Sequence, residues 1–94
     1  MFKENTMLNI FNRDKTEKLR KWMRSQYDSS IQDYNESDKF DPRARLLLDM
    51  NLIHDGIMRD EEMRHSCSLS KDVYDATAKK VYRELYDDYF AGYC

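Results

Sequence analysis

Residues 71–91 read KDVYDATAKKVYRELYDDYFA, and the periodicity of this stretch decides the fold class. With Tyr74 set at zero and each residue advanced by about 100°, Thr77, Ala78, Val81, Tyr82, Leu85, Tyr86 and Tyr89 fall within an arc of about 180°. Lys79, Lys80, Arg83 and Asp87 lie opposite. One apolar stripe facing a charged side is the pattern of an amphipathic helix. Ser70 is a suitable N-cap, Asp72 sits in the positively polarised first turn, and Gly92 can end the helix. The pattern predicts a helix over 71–91.

Upstream, Leu19, Trp22, Met23, Tyr27, Ile31 and Tyr34 share one side of a second wheel, which predicts a helix over about 15–36 with a fray or bend near Ser29 and Ser30. It stops in Ser37-Asp38-Lys39-Phe40-Asp41-Pro42, where Asp41 can cap the next helix and Pro42 takes a first-turn position that needs no N–H. The middle helix differs from its neighbours. Ala44, Leu47, Leu48, Leu52 and Met58 mark one face, and Leu46, Met50, Ile53 and Ile57 mark nearly the opposite one. A helix apolar on both sides has to be covered on both sides, by two flanking helices or by one helix and a second copy of the chain. Gly56 is either a C′ glycine or an interior glycine costing about 1 kcal/mol. Taken as interior, it extends the helix over about 42–65. Residues 1–13, with Phe2, Met7, Leu8, Ile10 and Phe11, form a short amphipathic segment that packs on the bundle end or mediates self-association. The expectation is a single all-α domain over 1–94, an antiparallel three-helix bundle with that N-terminal segment attached.

Composition narrows the function classes. Among 94 residues there are two Gly, one Pro, two Cys and two His, little material for phosphate-binding loops, a disulfide framework or a multi-ligand metal site. Leu, Ile, Val and Phe number only 18, near the level where disorder becomes the default, but a formal charge of -2 does not satisfy the second condition for disorder. Six Met, seven Tyr and one Trp enlarge the apolar total and soften the core they build. No apolar run approaches the about 18 residues of a membrane span, and no basic start leads into an apolar stretch with a cleavage site. With Cys67 and Cys94 read as reduced thiols, the expectation is a cytoplasmic protein with no membrane contact.

Charge is asymmetric. Residues 1–24 carry Lys3, Arg13, Lys15, Lys18, Arg20, Lys21 and Arg24 against three acids, whereas residues 25–42 are acidic. Lys18, Arg20, Lys21 and Arg24 are therefore candidate phosphate contacts for nucleic acid. The alternative is a solvated helix face, since Trp22 lies on the apolar arc rather than among the charges and the pI is near 5.6.

Three short motifs resemble catalytic or accessory families. Glu84-Leu85-Tyr86-Asp87 resembles one half of the magnesium site of all-α nucleotide pyrophosphohydrolases, and Asp60-Glu61-Glu62 supplies a fragment of the other half. Met63, Arg64 and His65 stand where that second motif needs carboxylates. His54-Asp55 resembles the paired ligands of HD-type metal phosphohydrolases, which need a further upstream His that this sequence lacks. Tyr82-Arg83-Glu84-Leu85-Tyr86 resembles the Leu-Tyr-Arg signature of mitochondrial accessory proteins, but in the last helix instead of the first. His65 and Cys67 lie close in sequence without a third catalytic group.

The expectation is accordingly no catalytic, metal or cofactor site. The abundance of Tyr, and the clustering of Tyr86, Tyr89, Phe90 and Tyr93 in the last turns, point to a protein-binding surface. The leading function is a non-catalytic interaction module, a small adaptor or inhibitor of a larger macromolecule that also self-associates as a homodimer. Small host-directed phage proteins share this compositional profile. Nucleic-acid binding and a metal-dependent nucleotide hydrolase are the alternatives.

Overall fold

A computed structural model describes residues 2–37 and 42–90, with side chains described from Arg13 onward. The described chain is all-α: α1 (Phe2–Ser25), α2 (Asp28–Asn35), α3 (Pro42–Met58), α4 (Glu61–Ser66) and α5 (Lys71–Phe90), with no strand among the described residues. The expected count of three helices is therefore corrected to five, and each extra boundary has a local cause. The caps expected at Asp41 and Gly92, and the side chains expected to make residues 1–13 amphipathic, lie outside the described residues.

The first helix starts earlier and ends earlier than the expected 15–36. No Gly or Pro interrupts residues 2–25, so the N-terminal segment is continuous with α1 instead of being an appendage. The break falls at Gln26 and Tyr27, before the serines. Ser25 Oγ donates to the Trp22 carbonyl at 2.6 Å, taking the acceptor that the Gln26 amide would use in a continuing helix. The Gln26 amide bonds the Met23 carbonyl instead at 3.1 Å, and Tyr27 bonds Arg24 likewise. These tighter i−3 bonds end α1, and α2 restarts from the Tyr27 carbonyl.

Gly56 is interior to α3, as expected, but the expected run to His65 stops at Met58. Asp60 is extended and its Oδ1 accepts the Met63 amide at 2.9 Å. A competent N-cap followed by Glu61 and Glu62 favours a new helix start over continuation. Ser68 then reverses the chain at φ 59°, and Ser70 Oγ accepts the Val73 amide at 3.3 Å to cap α5.

Helix directions follow from side-chain pairs. Arg20 reaches Glu84 and Arg24 reaches Asp88, so α1 and α5 run parallel. Tyr74 bonds Ile57 and Tyr82 bonds Asn51, so α3 and α5 run antiparallel. The core between them is Leu19, Met23, Tyr27, Leu46, Met50, Ile57, Tyr74, Ala78, Val81 and Leu85. Two buried hydroxyls find backbone acceptors, Tyr74 donating to the Ile57 carbonyl at 2.6 Å and Thr77 Oγ1 to the Val73 carbonyl at 2.7 Å.

Only one side of the doubly apolar α3 is covered. Leu46, Met50 and Ile57 are buried, whereas Leu48 is 55 % exposed and Leu52 63 %. Among the described residues no helix is long and apolar enough to cross a membrane. Met50→Ala should lower stability by about 2–5 kcal/mol, and Leu48→Ala should change it by about 0.5 kcal/mol or less in dilute solution. Chemical denaturation followed by circular dichroism checks both; equal losses would show that α3 buries a different face.

Candidate interaction surface

The three- and four-residue recurrence of rings along α5 gives it aromatic side chains on two flanks. On the flank toward α3, Tyr82, Tyr86 and Phe90 follow one another at four-residue steps and stack as a ladder. Tyr82 and Tyr86 centroids are 6.4 Å apart with planes at 21°, and Tyr86 and Phe90 are 5.0 Å apart at 26°. The first rung is fixed to α3, because the Tyr82 hydroxyl donates to Asn51 Oδ1 at 2.6 Å and the His54 ring lies 5.2 Å from the Tyr82 ring. Tyr89 points to the other flank and meets Tyr34 of α2 edge to face at 5.7 Å. Tyr86 is 39 % exposed, and Tyr89 and Phe90 are half-buried. Tyr93 lies outside the described residues.

The four basic candidates are divided. Lys18 and Lys21 are exposed. Arg20 donates to Glu84 at 2.9 Å and Arg24 to Glu84 and Asp88 at 3.5 and 3.2 Å, so both guanidiniums bridge α1 to α5. The hydrogen bond and charge of Glu84 hold the Arg20 pKa above its ordinary value. Positive charge that the sequence places together is thus half neutralised within the fold.

The carboxylates considered for magnesium are also dispersed. Glu84 belongs to the clamp, Glu61 pairs with Arg64 and lies 3.8 Å from His65 Nε2, and Glu62 and Asp87 are exposed. Among the described residues no group of three His, Cys, Asp or Glu side chains is placed to hold a metal ion. Cys67 Sγ donates to the Arg64 carbonyl at 3.2 Å.

Sequence reasoning missed Asn51 and His54 as supports of the ladder. Their partner Tyr82 is 31 residues from Asn51, and no local spacing links them. It also missed a cleft of about 250 Å³ lined by Trp22, Gln26, Ile53, Gly56, Ile57 and Asp60. The chain matches no protein-family model, no curated protein and no solved structure.

Burial shifts His54, Tyr27, Tyr74 and Tyr82, the last of these upward. Desolvation lowers the His54 pKa, with Asp55 raising it and Lys79 lowering it further. Desolvation also pushes Tyr27 and Tyr74 up to about 12. Tyr27 Oη and His54 Nδ1 are buried without a hydrogen-bond partner among the described residues. As pH falls through about 6.5, the unfolded chain takes up the His54 proton before the folded one, so stability drops there. Above about pH 10 the unfolded chain loses the Tyr27 and Tyr74 protons first, so stability drops again toward pH 12. Denaturant midpoints measured across pH should show both limbs, and His54→Asn should flatten the part below about pH 6.5.

Proposed function

We propose that this chain is a non-catalytic protein-interaction module, a small adaptor or inhibitor that binds a larger protein through the aromatic end of α5. The observation that carries the reading is the Tyr82, Tyr86 and Phe90 ladder, fixed at Tyr82 by Asn51 yet left open to solvent at Tyr86. Rings already stacked against one another lose little freedom when a partner covers them. Their edges and hydroxyl tips suit a protein surface, where Tyr and Phe are enriched.

The same geometry weighs against single-stranded nucleic acid, which stacks its bases on ring faces. Here Tyr86 and Phe90 stack on one another with centroids 5.0 Å apart. Arg20 and Arg24, already engaged with Glu84 and Asp88, offer less to phosphate than their sequence spacing suggests.

The test is a comparison of retained partners. Immobilised chain should capture a protein from cell extract that a Tyr86→Ala, Phe90→Ala double variant loses by about ten-fold or more, with helicity unchanged by circular dichroism. Equal capture by both forms overturns the α5 surface. Salt-dependent binding of single or double strands by the unaltered chain, lost on Lys18→Ala and Lys21→Ala, would replace the reading with a nucleic-acid one.

A further inference from the structure

We infer that the outer face of α3 docks against the same face of a second copy, as an antiparallel helix pair related by a two-fold axis level with Met50. Ala44, Leu48, Leu52 and Gly56 follow at four-residue steps, and all four are exposed. Such a row is a ridge of the kind that interdigitates between packed helices. Small residues at its two ends and leucines in its middle give a profile that two copies can fit in opposite directions.

Charge selects the occupant and the register. Around Leu48, Arg45 lies at about 60° and Asp55 at about −20°, so both flank the ridge. In the two-fold arrangement that sets Leu48 against Leu52 of the second copy, Arg45 falls opposite Asp55 of that copy, and Asp55 opposite its Arg45. The match is made twice with no like-charged pair among these four groups. Within one chain the same side chains make only exposed pairs, Arg45 with Asp49 at 3.3 Å and Arg59 with Asp55 at 3.6 Å. Pairs of that kind exchange partners at little cost.

Gly56 supports the same occupant independently. A Cβ there would meet nothing within 4 Å, so packing inside the chain does not require glycine. The missing side chain leaves room for a second helix to approach closely at that end of the ridge. The cleft beside it has a mixed lining, Trp22 and Ile53 together with Gln26 and Asp60. Two leucines and a shallow cleft are less than the about 800 Å² per partner of a standard interface, so the pair is weak and exchanges quickly.

Sedimentation equilibrium over a concentration series should show the mass rising toward two copies. Arg45→Asp and Asp55→Arg should each weaken association by about ten-fold or more, since attraction becomes repulsion at both ends. Mixing the two variants should restore it as a heterodimer, and the double variant should associate with itself, because either way an acid again faces a base. Gly56→Leu should leave helicity intact and remove association. A chain that remains monomeric at millimolar concentration overturns the inference, as does a mixture that behaves like the separate variants. Association that survives all these changes but is lost on Tyr86→Ala places the second copy on α5 and overturns it as well.

Discussion

The packing of Leu46, Met50 and Ile57 of α3 against Tyr74, Val81 and Leu85 of α5 is the contact on which the other elements depend. It fixes the rotation of α3, and with it which residues of α3 face outward. The Tyr74 hydroxyl closes the same contact by donating to the Ile57 carbonyl, one of the last in α3, which also accepts the Asp60 amide at 3.2 Å. Leu19 and Met23 of α1 then complete the core from the remaining side. With so few branched aliphatics to distribute, a core of this size cannot also wrap the far side of α3.

Electrostatics set the other relation, between α1 and α5. Two parallel helices place like ends of their dipoles together, which is mildly unfavourable. The late-α1 arginines and late-α5 carboxylates offset this where they meet, Arg20 on Glu84 and Arg24 on Asp88. The uneven charge of the chain's first half, basic over 1–24 and acidic over 25–42, thus has a structural use at Arg20 and Arg24 that no neighbouring residue reveals. Their partners come from more than sixty positions away.

What was legible in the sequence was the part written in periodicity. The helix over α5, its Ser70 cap and the start of α3 at Pro42 all follow from spacing and local chemistry, whereas spacing left Gly56 open between an interior and a C′ position. The division of the two longer segments did not. Ser25 ends α1 by capturing one carbonyl, and Asp60 starts α4 by offering one oxygen, and either residue could equally have sat exposed within an unbroken helix. The aromatic cluster at the end of α5 was readable as an abundance, but its sorting into a ladder on one flank and a Tyr34 contact on the other depended on where α2 and α3 lie. Apolarity on both faces of α3 was visible too, although not which face the chain would leave open.

Tyr27 has a different consequence. Its ring fills the junction of α1 and α2 completely, while its hydroxyl carries the desolvation cost of a polar group that gains no bond in return among the described residues. A ring without that oxygen would fit the same space. The chain therefore holds unused stability at its own centre, within a single substitution's reach, which is the mark of a sequence kept above a threshold of foldedness rather than driven to its optimum.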